Sequence, residues 1–213
     1  MPHADIRTST ITPLVRATPW LIALYFIAHV ALDAVSYVQP VLKLDITPLS
    51  PQTGLVLAFL YAYRGNFWWV AAAFLVSEVV IRGIPMHSWI LPLQAISITA
   101  VYQFAAWLLR KKVPMEGVAT LSGTLKFIAV ASVTAIIAGT VSVGLYTLSN
   151  LIPADQFPSA LARFWVGDLN GILLAFIQPA LALTLDRHGA SFVRVLARAY
   201  AEKNDGLRNF LSE

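Results

Sequence analysis

The chain is 213 residues long, with 58% of them hydrophobic, only 12% charged, and a mean hydropathy of +0.70. A soluble domain carries about 25% charged residues, so this composition excludes an ordinary water-soluble fold and calls for a lipid bilayer as solvent. The absence of cysteine excludes disulfides and thiolate metal sites, and the net charge of +4 sits at loop ends without an aromatic-interleaved patch, so nucleic acid is not a partner.

Residues 1–18 are polar, with Arg7 and Arg16, and read as a cytoplasmic tail. The apolar run behind them lacks a small-residue cleavage site, so it is expected to stay as a helix rather than to be removed as a signal peptide. That first helix is predicted over Trp20–Val38, with Trp20 and Tyr37 as interfacial anchors. The next apolar stretch, Leu44–Tyr63, is broken by Pro48 and Pro51, because proline removes a helical donor and turns its predecessor out of the α region. The clean remainder, Gln52–Tyr63, would be only about 18 Å long at 1.5 Å per residue. Further helices are predicted over Phe67–Arg82, Trp89–Leu109, Leu125–Leu148 and Phe164–Leu185, the fourth ended by Arg110-Lys111-Lys112.

The expected fold is therefore all-α, a polytopic bundle of about six transmembrane helices with one short or broken member. Its membrane domain would span residues 19–186, followed by a cytoplasmic segment over 187–213. With six spans the basic residues divide twelve inside against three outside (Lys43, Arg82 and Arg163), the bias expected when both termini are cytoplasmic. Ala135, Gly139 and Gly144 on the fifth helix allow neighbouring helices to approach closely. After the sixth helix, Phe192, Val195, Leu196, Ala199 and Tyr200 recur at helical spacing with Arg194, Arg198 and Glu202 between them. Two readings stay open: an amphipathic helix on the inner leaflet, or a signalling helix leading to a partner.

A charged side chain at mid-membrane costs roughly 2.5–3.5 kcal/mol on insertion scales, so the polar residues inside the spans carry the functional information. His29 and Asp33 lie four apart and share a face. Two ligands on one turn are too few for a closed metal site, and a mutual hydrogen bond or a contact with a helix neighbour is expected. Glu78 and Arg82 have the same spacing and read as a pair, with Glu78 also a candidate ligand contact. Ser50-Pro51-Gln52-Thr53-Gly54 starts a short helix in the outer half of the membrane. Its free N–H groups suit an anion or a carbonyl, and a plain proline turn is the alternative. Asp168, near the start of the sixth helix, suits a helix N-terminus. Asn170 and Gln178, eight apart, are expected to form a polar stripe toward the bundle interior, and Pro179 to kink that helix. No zincin, phosphate-loop or nucleophile-elbow signature is present, so neither catalysis nor a cofactor is expected.

The order of these motifs resembles the first of the MASE families, membrane-associated sensor domains of bacterial signalling proteins. Ser50-Pro51-Gln52-Thr53-Gly54-Leu55-Val56-Leu57-Ala58 is similar to the family's opening Trp-Pro-Pro-Ser/Thr-Gly element and the alanine-leucine helix after it. Arg64 with Phe67-Trp68-Trp69 resembles the next element, and Trp165, Gly167, Asp168, Gly171 and Pro179 the closing one. The likeness runs over about residues 20–186. The opening tryptophan and second proline are missing, with Gln52 in place of the latter, and the bundle is shorter than the family's eight-helix layout.

The resemblance implies a sensory input module of the bacterial inner membrane, coupled to a histidine kinase or cyclic-di-GMP enzyme as in two-component and related signalling. It also implies a small ligand held by Pro51, Gln52, Thr53, Gly54, Glu78, Trp165, Asp168, Asn170 and Gln178. The expected partners are the lipid bilayer, that ligand, a cytoplasmic signalling domain and a second copy in a homodimer. The segment after the sixth helix then reads as the output rod. The alternative function is the substrate-binding subunit of a small-vitamin uptake transporter, which has a similar size and helix number.

Overall fold

The computed structural model describes residues 17–36, 49–83, 89–113 and 120–174, and within them every long element is an α-helix. In chain order these are α1 (Pro19–Ser36), α2 (Pro51–Ala62), α3 (Phe67–Ser77), α4 (Ile90–Lys112), α5 (Leu121–Leu148) and α6, described over 157–174. Gln178, Pro179 and the segment 187–213 lie outside the described residues, as do most of residues 1–18.

The helix ends follow from local chemistry. Pro51 stands at the first turn of α2, where its missing N–H costs nothing. Helix α3 ends in a wider π turn over Glu78–Arg82, and Gly83 stops it in the left-handed region at φ 54°. Helix α5 begins four residues before the expected Leu125, because the Thr120 side chain accepts from Gly123 N–H at 3.1 Å and caps it. It closes on Asn150 at φ 58°, with Leu151 N–H donating to Tyr146 C=O at 2.9 Å and Asn150 N–H to Thr147 C=O at 3.0 Å. A single 3₁₀ turn, Ala154–Gln156, then leads into α6 at residue 157 rather than at the expected Phe164.

Three of the helices, α1, α4 and α5, are long and apolar enough to cross a membrane. At 18, 23 and 28 residues they reach about 27, 35 and 42 Å, against about 30 Å of hydrocarbon. Helix α2, at 12 residues or about 18 Å, falls short. The distribution of polarity is inverted relative to a soluble protein. Trp20, Ile27, Trp68, Val80 and Leu121 are exposed, whereas His29, Asp33, Gln52, Glu78, Gln94 and Asp168 are buried. On α1 the buried residues are Tyr25, His29 and Asp33, an i, i+4, i+8 stripe that turns the polar face inward.

Helix α4 packs against α2, α3 and α5, and α1 against α2 and α3. The main core joins Tyr25, Val56, Leu57, Leu60, Val70, Ile98, Tyr102, Phe127 and Ile172, and a second cluster joins Ile90, Val143, Tyr146, Ile152 and Ala160. Gly139 of α5 lies against α6 so closely that a Cβ there would be 3.0 Å from Leu161 Cδ1 and 3.2 Å from Phe164 Cδ1. Close approach of this kind supplies the van der Waals packing that holds helices together where hydrocarbon removes the hydrophobic drive. Arg110 of α4 reaches the C-terminal end of α2, donating from one guanidinium nitrogen to Leu60 C=O at 2.5 Å and Tyr61 C=O at 3.2 Å. Those carbonyls have no partner within their own helix, so the short α2 is tied down at its C-terminal end.

Candidate functional site

The other end of α2 is anchored to α6 through backbone contacts. Ser50 N–H donates to Gly167 C=O at 3.1 Å, and Ser50 C=O accepts from Thr53 N–H at 3.0 Å and from Thr53 Oγ1 at 2.7 Å. Thr53 Oγ1 also lies 3.4 Å from the Asp168 carbonyl oxygen. A Cβ built on Gly171 would stand 1.8 Å from Ser50 O and 2.5 Å from Ser50 C, so only glycine permits this approach. The carbonyl engaged by the start of α2 is therefore one from α6 itself. Gln52, Thr53 and Gly54 are buried, which rules out a plain surface turn.

Beside this junction lies a polar cavity of about 50 Å³. Its wall includes His29 and Asp33 from α1, Gln52 and Thr53 from α2, Phe74 and Glu78 from α3 and its π turn, and Asp168 with Phe164 from α6. Helix α4 adds Gln94, Ile98 and Tyr102, and α5 adds Tyr146. Each carboxylate is held by a neutral donor. Gln52 Nε2 donates to Asp33 Oδ1 at 2.8 Å, while the Gln52 Oε1 accepts from Ser36 Oγ at 3.2 Å. Tyr102 O–H donates to Asp168 Oδ2 at 2.5 Å. Tyr146 O–H is shared between the two Glu78 oxygens at 3.2 and 3.3 Å and accepts from Gln94 Nε2 at 3.1 Å. The His29 and Phe74 rings form a T-shaped pair with centroids 5.0 Å apart and planes at 80°.

Buried polar groups on separate helices, connected in this way, fix the arrangement of the bundle around one small space. Among the described residues no three His, Asp or Glu side chains are placed to hold a metal ion.

Of the residues expected at a ligand site, Gln52, Thr53, Glu78 and Asp168 line the cavity. Pro51 and Gly54 shape the start of α2 without lining it. Two expectations are corrected. Asn170 is exposed, so it does not face the interior. The inward stripe of α6 is Gly167, Asp168, Gly171 and Ile172, and a residue two beyond Asp168 lies about 200° round the helix. Trp165 is half-buried and donates from Nε1 to Ser132 Oγ at 3.3 Å, a contact to α5 away from the cavity. Gln178 lies outside the described residues, and the pairing of Glu78 with Arg82 lies outside the described side chains.

The wall residues that sequence reasoning missed are Tyr102, Tyr146 and Gln94. A signal existed on α4, where Gln94, Ile98 and Tyr102 repeat at i, i+4, i+8 and place an amide and a phenol on one face of an apolar helix. Tyr146 offered none, since an isolated tyrosine near a helix end reads equally as an interfacial anchor.

The described residues thus form an all-helical structure with three helices long and apolar enough to span a membrane and a small cavity lined by buried polar side chains at the meeting of its helices. No family model matches the chain, and the searches of curated proteins and of solved structures give no match either.

Proposed function

We propose that the chain is a membrane-embedded sensory input module. It would sit in a bacterial inner membrane as a bundle of six spans with both termini cytoplasmic, perform no chemistry, and relay the occupancy of its polar cavity to a cytoplasmic output of the histidine kinase or cyclic-di-GMP enzyme type. A homodimer would bring two such outputs together. The resemblance to membrane-associated sensor domains and the twelve-to-three division of basic residues support this reading.

The observation that carries it is the junction of α2 with α6. Asp168 faces the cavity, and the same turn of α6 is joined through Gly167 and Gly171 to the Ser50 backbone. A ligand that binds one α2–α6 arrangement better than another shifts the population of α6 positions by its differential affinity. The segment 187–213, which follows in sequence, would carry that shift to the output. The cavity lends no comparable support to vitamin uptake. Its volume of about 50 Å³ is well below the roughly 300–1,000 Å³ of sites for drug-sized ligands.

The test exploits the lack of cysteine, which makes a single label possible. With Ser191→Cys carrying an environment-sensitive fluorophore, the full chain in lipid nanodiscs is titrated with a panel of small ions and metabolites and with pH. Emission should shift in response to at least one of them, and Asp168→Ala should abolish the shift while leaving membrane insertion intact. A silent label, or one that responds equally in Asp168→Ala, would defeat the proposal.

A further inference from the structure

We infer that a groove between the first turns of α1 and α3 holds one acyl chain of an anionic phospholipid from the cytoplasmic leaflet, its head group at the basic end of the bundle. The inference uses the membrane reading of the chain and is independent of what the polar cavity senses.

The groove has a volume of about 420 Å³ and is walled by Pro19, Ile22, Ala23, Phe26 and Ile27 of α1 and by Trp69 of α3. These are aliphatic and aromatic side chains, so a polar ligand would give up its hydration there without hydrogen bonds in return. From Pro19 to Ile27 the groove follows α1 for about 12 Å at 1.5 Å per residue, close to the roughly 15 Å of hydrocarbon in one leaflet. Ala23, Ile27 and Trp69 are exposed, so the space opens sideways toward the bilayer. A single hydrocarbon chain lying along α1 has the length and the chemistry of this space.

Charge defines which end carries the head group. Helices α1 and α3 run in the same direction, since Pro19 and Trp69 share the groove near their beginnings and His29 pairs with Phe74 further along. Helices α2 and α4 end at this level. Phe67 opens α3 five residues after Ala62 closes α2, and Arg110 near the end of α4 donates to the Leu60 and Tyr61 carbonyls. The end where the groove begins therefore carries Arg64, Arg110, Lys111 and Lys112. Arg64 is exposed, precedes α3 by three residues, and stands close enough to Arg110 for their like charges to repel. An anion at this end relieves that repulsion. Lys111 sits over the Trp107 ring, 5.2 Å from its centroid. Trp20 and Trp68, next in sequence to Pro19 and Trp69, are each 70% exposed, as tryptophans at a membrane–water interface are. Basic residues mark the cytoplasmic end of a membrane protein, and the lipids of that leaflet carry the negative charge.

The experiment titrates the purified full chain in detergent with phosphatidylglycerol and phosphatidylcholine of identical acyl chains, and counts bound lipid by native mass spectrometry. One phosphatidylglycerol should bind saturably, about fivefold more tightly than phosphatidylcholine for each basic residue that meets the head group. Arg64→Gln should lower phosphatidylglycerol binding by about fivefold and leave phosphatidylcholine unchanged. Ala23→Trp fills the groove and should remove the saturable binding, whereas Val35→Trp, also at an exposed position of α1 but outside the groove, should leave it intact. If Ala23→Trp fails to insert, Trp69→Ala, which takes away one wall, should remove the binding in its place. A diazirine side chain at position 23 should link to the lipid's acyl chain on illumination.

Equal affinity for the two lipids overturns the inference, as does unchanged binding in Arg64→Gln or in the inserted groove variants. A link from position 23 to another segment of the same chain, or to a second copy, names a different occupant and also overturns it. The label at position 191 reports on the cavity alone, so either proposal can fail while the other stands.

Discussion

Replacing Gly171 by alanine tests the α2–α6 junction most directly. The added Cβ would sit 1.8 Å from Ser50 O, whereas carbon and carbonyl oxygen ordinarily approach no closer than about 3.3 Å. The two segments must then separate by about 1.5 Å. Ser50 is part of the backbone, so no side-chain rotation relieves the clash. Separation by that amount stretches the 3.1 Å bond from Ser50 N–H to Gly167 C=O beyond hydrogen-bonding range. Losing that bond costs about 0.5–1.5 kcal/mol, and overpacking adds about 1–3 kcal/mol. The expected destabilisation is about 1.5–4.5 kcal/mol. The assay is reversible unfolding in mixed micelles followed by tryptophan fluorescence, with Gly144→Ala as control. Nothing lies within 4 Å of a Cβ at Gly144, so that change should be neutral or stabilising through helix propensity. If Gly171→Ala unfolds at the same denaturant concentration as Gly144→Ala, the close approach does not exist and the coupling of α2 to α6 loses its basis.

Two further predictions concern the polar contacts around the cavity and the far end of α2. Tyr102→Phe removes the O–H that donates to the buried Asp168 carboxylate and should cost about 1–3 kcal/mol. In a double-mutant cycle with Asp168→Asn the two changes should be non-additive, and strict additivity would refute the contact. Arg110→Ala frees Leu60 C=O and Tyr61 C=O at the end of α2, so amide hydrogen exchange around residues 59–63 should accelerate while exchange in α5 stays unchanged.

Several features were readable from the residues in order. The apolar lengths of α1, α4 and α5 could be recognised because crossing hydrocarbon is a local requirement on composition. Pro51 announced the start of α2 because ring closure acts on its own turn. His29 and Asp33 were assigned a common face by spacing alone, and both do line the cavity. Asn170 failed for a related reason, since eight-residue spacing to Gln178 aligned the two with each other but did not say which way they faced. The early start of α6 was hidden because residues 157–163 include charged and polar members. Helicity there depends on packing against α5 rather than on an apolar run.

Composition and periodicity by themselves determined that the chain is helical, that its long segments suit a bilayer, and which polar residues stand inside them at an energetic cost. Only the tertiary structure decided that Asp33, Glu78 and Asp168 share one small cavity, with Tyr102, Tyr146, Gln52 and Gln94 as their hydrogen-bonding company. The reason is that helical spacing sets the direction of a side chain relative to its own axis. Which axes meet, and how closely, is set by long-range contacts such as the bare Cα of Gly171 against the Ser50 carbonyl.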